Sequence, residues 1–192
     1  MKDAKKVHIM KQSKELFERF GYQKTTLSDI ARAMGNVKSA IYYYFSGKEE
    51  IFAALVRSEA EDFLTKLIEQ VEHSNDPHEQ LRLYVNTRLD LMEKVSKRYH
   101  FLKSEFFQLM PIVDQNRKEC DAKEVAFISN ILTKIPTEEA NISHSEFSAK
   151  LLMQSLKGLE IQMFVTDQMQ SHNTDREAFI DYVLYGLITS KK

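Results

Sequence analysis

The sequence predicts an all-α chain. Three observations carry this expectation. Glycine and proline are scarce, five and three among 192 residues, whereas all-β folds need turn residues at short intervals. Apolar residues, 43% of the chain, recur at three- and four-residue spacings, the period of an amphipathic helix. Helix-start signals punctuate the pattern: Thr26-x-x-Asp29, Ser46-x-x-Glu49, Asp76-Pro77-x-Glu79, Ser143-x-x-Glu146 and Thr174-x-x-Glu177. Each sets a side-chain acceptor where the first helical turn has unpaired N–H groups.

Taken in order, residues 4–20 place Val7, Met10, Phe17 and Phe20 near one face, widened by Ile9 and Leu16. Gly21 stops this first helix, as a residue free to adopt the left-handed conformation does. A short second helix runs from Thr26 through Met34 and ends at Gly35. A third spans Val37 or Lys38 to Tyr44. Ser46 and Glu49 open a long fourth helix, to Val71, and Asp76-Pro77 opens a fifth, to about Lys97. Residues 100–110 are aromatic-rich and helical, and Pro111 opens or kinks into a segment that ends before Pro136. Two further helices start at Ser143, toward Met169, and at Thr174, ending near Ser190. The loops at 74–76 and 136–143 are short and polar, and no repeat or low-complexity tract interrupts the chain, so a single continuous helical body is expected.

The net charge of −1 divides unevenly. Residues 1–48 hold ten Lys+Arg against four Asp+Glu, a net of +6, and residues 49–192 hold 17 against 24, a net of −7. A basic head on an acidic body suits contact with a polyanion, because counterion release supplies much of the affinity for nucleic acid. Other classes are disfavoured. No run of eighteen uncharged apolar residues can span a membrane, and the charged N-terminus has no signal-peptide core. The single cysteine, Cys120, excludes an intrachain disulfide and suits a reducing cytoplasm. Isolated glycines make no phosphate-cradling loop. The six histidines show no i,i+4 pair, and Cys120 sits between Glu119 and Asp121, so neither a zinc site nor a reactive thiolate is expected. No catalytic constellation and no cofactor site is read, and the chain is expected not to be an enzyme.

The informative segment is 25–50. Two short helices joined through Gly35 form a helix-turn-helix when their inner faces are apolar, and Ile30, Ala31 and Met34 can face Ile41 and Phe45. The second of these helices then projects Lys38, Ser39, Tyr42, Tyr43 and Tyr44, side chains able to reach phosphates, base edges and thymine methyls. Successive residues of a helix lie about 100° apart, so three consecutive tyrosines cannot all be buried on one face. An ordinary helical hairpin with tyrosines lying over the core is the plain structural reading of the same residues.

Residues 13–55 resemble the DNA-binding head of the TetR family of regulators. The likeness rests on the ELFxxxGYxxTT run at Glu15–Thr26, the DIAxxxG run at Asp29–Gly35, and the K-x-x-I-Y-Y-Y-F-x-x-K-E-E run at 38–50. The resemblance implies a three-helix head over 1–48 and a helical ligand-binding and dimerisation body over 49–192. It implies that Thr26 touches a phosphate and that Lys38 and Ser39 start the recognition helix at the major groove. Tyr42 and Tyr43 would meet phosphates or thymine methyls, and Lys48, with the first amides of the fourth helix, would clamp a phosphate. Asn36, Val37, Ser39 and Tyr44 depart from the family's usual turn, cap, glycine and histidine, which leaves the DNA sequence unread.

The resemblance further implies a dimer built on the last two helices. Leu152, Leu156, Leu159 and Met163 on one, and Phe179, Val183 and Leu187 on the other, are the expected contacts, with Gly158 and Gly186 allowing close crossing. A short recognition helix reads few base pairs, so a two-fold dimer on a palindromic operator is the geometric solution. Tyr84, Arg88, Met92, Phe106, Phe107, Phe127 and Met153 are the candidates for an effector pocket, although such a stripe is equally what an ordinary core needs. The expectation is a ligand-responsive repressor. The alternatives are a regulator of this type governed by a protein partner or by abundance, and an all-α enzyme or carrier that retains the head without using it.

Overall fold

The computed structural model describes residues 2–136, 145–165 and 173–187. Eight helices, and no strand among the described residues, make up the fold: α1 (Lys2–Phe20), α2 (Leu27–Ala33), α3 (Lys38–Tyr42), α4 (Lys48–Val71), α5 (Pro77–Arg98), α6 (Leu102–Leu132), α7 (Ser145–Val165) and α8 (Asn173–Leu187). The all-α expectation is met. The Ser143 cap and the extensions to Met169 and Ser190 lie outside the described residues.

Three sequence expectations change. Pro111 neither opens nor ends a helix, because α6 runs unbroken through it. The residue at 107, whose carbonyl loses its i+4 donor, is 83% exposed, so water can serve that carbonyl instead. The start of α4 registers one residue late: Glu50 rather than Glu49 reaches back, accepting the Ser46 N–H at 2.6 Å. The inward stripe of α1 is Ile9, Ser13 and Phe17, four residues apart, while Val7 and Phe20 lie exposed.

The described chain forms two compact units. The first joins Met1–Glu61 to Ser96–Lys118 and so extends beyond residue 48. Its core holds Ile9, Phe17, Tyr22, Ile30, Ile41, Phe45, Phe52 and Phe101. The rings of Phe17, Tyr22 and Phe52 form a triangle with centroids 5.0–5.9 Å apart, tilted and edge-on arrangements that suit the aromatic quadrupole. Around it, Lys14 pairs with Glu59, and Arg98 lies 3.9 Å from Glu18 and 3.6 Å from Glu59.

The second unit joins Asp62–Val95 to the chain from Glu119 onward. The inner face of α5 carries Leu81, Tyr84, Val85, Arg88, Leu89 and Met92. Arg88 is fully buried. Its two terminal nitrogens donate to Glu124 of α6 and Glu160 of α7, and its guanidinium lies 5.5 Å from the ring centre of Phe63 on α4. The Tyr84 hydroxyl donates to the same Glu124 oxygen at 2.7 Å. Burial works against the charged form of Arg88, but the Glu160 and Glu124 carboxylates outweigh it and hold its pKa well above the ordinary value. Burial likewise pushes the Tyr84 hydroxyl well up. At the rim, Arg82 pairs with Glu177 and Asp181 of α8, and Arg176 reaches Asp90 at 2.7 Å.

Removing Arg88 leaves two buried carboxylates without the cation they share. Arg88→Ala is therefore expected to destabilise the protein by about 3–5 kcal/mol, read from the urea midpoint. Joint replacement of Arg88, Glu124 and Glu160 by apolar residues of similar volume should cost much less. An Arg88→Ala midpoint equal to that of the wild type would refute the coupling.

Candidate nucleic-acid interface

The turn between α1 and α2 begins at Gly21, whose φ of +83° is one that L side chains resist. Thr25, buried, donates to the Gly21 carbonyl at 2.7 Å and closes the loop. Thr26 then caps α2 with a complete box. The Asp29 N–H donates to Thr26 Oγ1 at 3.2 Å, and the Thr26 N–H and hydroxyl donate to Asp29 Oδ2 at 3.0 and 2.6 Å. The Thr26 hydroxyl, followed by the Thr26 amide, holds the Asp29 carboxyl below the usual aspartate range.

The C-terminus of α2 closes with two crossed bonds. Asn36 N–H donates to Ala31 O at 2.9 Å and Gly35 N–H to Arg32 O at 3.0 Å, the pairing of a Schellman turn. Gly35 has φ +63° and open space around it, so its backbone angle and not crowding calls for glycine. The turn delivers α3 with Val37 at the cap position, making no side-chain bond there.

Two apolar anchors seat α3. Ile41 is fully buried and Phe45 is 3% exposed, against Ile30 and Ala31 of α2 in the same core, with Met34 partly buried beside them. The opposite side faces outward: Lys38 and Ser39 are exposed, and Tyr42 and Tyr43 are 56% and 64% exposed. Tyr44 is half-buried and meets Tyr43 edge-on, with centroids 4.9 Å apart. The six expected contact residues Thr26, Lys38, Ser39, Tyr42, Tyr43 and Tyr44 thus come from one helix-turn-helix.

Lys48, the first residue of α4, is placed differently from the expected free phosphate clamp. Its ammonium donates to the Tyr22 carbonyl at 2.7 Å and to the Gln23 carbonyl at 3.5 Å, and lies 4.2 Å from the centre of the Tyr22 ring. Burial lowers its pKa, opposed by the Glu105 carboxylate. An ammonium carries three donors, so two directed at the loop still leave one for a phosphate. Glu105, from the first turn of α6, was absent from the sequence reading. Both of its carboxylate oxygens accept the Gln23 N–H, each at 3.2 Å. No local pattern marks it, because its partner lies 82 positions away.

This geometry has known counterparts. Residues 9–55 match the family described as bacterial regulatory proteins, tetR family. The likeness to that family is confined to this head, about a quarter of the chain. Among curated relatives it is 31% identical over 74 residues to the HTH-type transcriptional regulator YfiR of Bacillus subtilis, covering 38% of this chain and 36% of that protein. It is 33% identical over 92 residues to the probable acrEF/envCD operon repressor of Escherichia coli, covering 45% of this chain and 40% of that one. The chain thus spans well under two thirds of the length of these curated relatives. The likeness in fold is wider. The structure of the fatty acid degradation regulator FadR of Bacillus halodurans superposes with a TM-score of 0.66 at 18% identity, over 93% of this chain and 92% of that one.

The body residues expected to bind an effector fall in both units. Phe106 and Phe107 belong to the first unit, whereas Tyr84, Arg88, Met92, Phe127 and Met153 belong to the second. Phe107 is 83% exposed and lines no interior surface. Met92 and Met153 are buried and Phe127 is half-buried. Of the pocket candidates, Tyr84 directs its hydroxyl at Glu124, and Arg88 directs its two terminal nitrogens at Glu124 and Glu160. Of the expected dimer contacts, Leu152 and Leu156 are buried within this chain. Leu159 and Val183 are half-buried, and the side chains of Met163, Phe179 and Leu187 lie outside the described residues.

The Asp29 shift gives a pH signature. A carboxyl whose pKa is lowered on folding adds stability above its unfolded pKa, and that contribution is lost as pH falls through the lower, folded value. An NMR titration is expected to place the Asp29 midpoint below the ordinary aspartate range, and Thr26→Ala should return it toward that range. An unshifted wild-type midpoint would remove the capping box as its cause.

Proposed function

We propose that the chain is a transcription regulator that binds a palindromic operator as a dimer, with α3 in the major groove and repression as its effect. The carrying observation is the outward face of α3, where Lys38, Ser39, Tyr42 and Tyr43 stand exposed on a helix fixed from behind by Ile41 and Phe45. A five-residue helix is too short to be stable alone; anchored this way it can present its outer side chains to base edges and phosphates. Thr26 at the start of α2 and the remaining donor of Lys48 at the start of α4 supply phosphate contacts on this reading.

The dimer surface is assigned to the outer face of α7. Phe147, Leu151, Gln154, Gly158 and Ile161 are exposed and fall within an arc of about 80° at 3.6 residues per turn. Ala149, Leu152, Met153 and Leu156 fill the opposite, buried face. A helix that is apolar all round needs cover on both sides, and Gly158, with open space where a Cβ would be, lets a second helix approach closely.

Fluorescence anisotropy on a duplex enriched from a random pool by the wild-type protein tests this reading. The wild type is expected to prefer that duplex over a shuffled one by about a thousandfold at physiological salt, with two chains per site. The Lys38→Ala, Tyr43→Ala double variant should lose the preference, and Leu151→Glu should sediment as a monomer and bind weakly. Equal binding of both duplexes, lost together as salt rises, would reduce the head to an electrostatic patch.

The effector is a small apolar molecule held in the body, whose differential affinity for two states shifts DNA binding. A second reading, control by a protein partner or by abundance, is favoured by the engagement of Tyr84 and Arg88 with Glu124 and Glu160. A thermal-shift screen of apolar ligands separates the two: stabilisation that grows with ligand concentration supports an effector, and a flat response across the panel supports the second reading.

A further inference from the structure

The peptide group joining Tyr22 to Gln23 is held from both ends. Its carbonyl accepts from the Lys48 ammonium at 2.7 Å, and its N–H donates to both oxygens of Glu105 at 3.2 Å. One peptide plane therefore links the first turn of α6 to the first residue of α4, across the loop that ends at the Thr26 cap. All of these residues lie in the first compact unit. Gly21 shares in the arrangement, because a Cβ there would stand 2.9 Å from Glu105 Oε1. The carboxylate occupies the space that the missing side chain leaves, and its charge favours the partly buried Lys48 ammonium in its charged form.

We infer that Glu105 is a positioning residue for DNA binding, lying 50 positions beyond the residues that match the family head. The inference rests on the DNA-binding reading above. Glu105 touches no DNA on this view. It fixes the 22–23 peptide, which fixes the direction of the Lys48 ammonium and the approach to Thr26, the two phosphate-contact candidates on either side of the loop. A carboxylate near a polyanion would otherwise oppose binding, so its two roles have opposite signs and can be separated. As a bystander charge, its neutralisation strengthens binding to every duplex. As a positioning group, its neutralisation weakens binding to the preferred duplex alone.

The test compares wild type, Glu105→Gln and Glu105→Asp on the enriched and the shuffled duplex, with and without Lys48→Met. Loss of a charge-assisted bond predicts that Glu105→Gln loses about tenfold on the enriched duplex and keeps or gains affinity on the shuffled one. Glu105→Asp retains the charge but not the reach, and should also lose preference. This variant keeps the comparison intact should Glu105→Gln fail to fold. In the Lys48→Met background, Glu105→Gln should add only the smaller loss that runs through Thr26, well short of tenfold. Stronger binding of both duplexes by Glu105→Gln, or a full additional tenfold loss in the Lys48→Met background, would overturn the inference while leaving the DNA-binding reading in place. A wild type that enriches no duplex would remove that reading, and the role of Glu105 with it.

Discussion

The buried guanidinium of Arg88 sets the terms on which the second unit can pack. Its two terminal nitrogens meet carboxylates on α6 and α7, and its planar face meets a ring from α4. Apolar stripes such as Leu81, Val85, Leu89 and Met92 tolerate small rotations and slides of one helix on another. A rigid fork of donors does not, because a shift of an ångström or two leaves a charge unpaired in a medium that cannot solvate it. Two carboxylates share this single cation, with the Tyr84 hydroxyl donating to one of them, so each added donor matters. Tyr84 and Arg88, two of the pocket candidates, thus also hold the helices in register.

The first unit solves a different problem, the placement of a helix too short to hold itself. Backbone geometry does most of this. The left-handed glycines at 21 and 35 reverse the chain where α1 and α2 end, and the crossed bonds after α2 fix the departure angle toward α3. Ile41 and Phe45 then lock the roll of α3, which decides that Lys38, Ser39, Tyr42 and Tyr43 face outward. Asn36 and Val37, which depart from the family's usual turn and cap, leave the crossed bonds of that turn in place.

Local features were legible in the sequence and distant ones were not, for physical reasons. The Thr26–Asp29 box, the Gly21 and Gly35 stops and the Ile30–Ile41 interior arise from neighbours within a few residues, and their spacing encodes them. Where Glu49 and Glu50 stand side by side, composition alone does not say which reaches back, since the choice turns on a single-residue register of the helix start. The α7 stripe shows the limit of periodicity: apolar residues all round the helix reveal that two faces need cover, but not that Leu152 and Leu156 face inward while Phe147 and Leu151 face outward. Glu105 and the Arg88 network lie beyond any local pattern, because their partners are 36 to 82 positions distant.

The close approach of Glu105 to Gly21 also bears on how the sequence can drift over generations. A side chain at position 21 would collide with the carboxylate as well as strain the turn, and the conformational strain alone makes most single changes there unfavourable. A shorter residue at 105 opens the space but abandons the Gln23 amide. No change at 105 relieves that backbone angle, so the turn itself holds glycine at 21, while the Gln23 amide holds the carboxylate at 105.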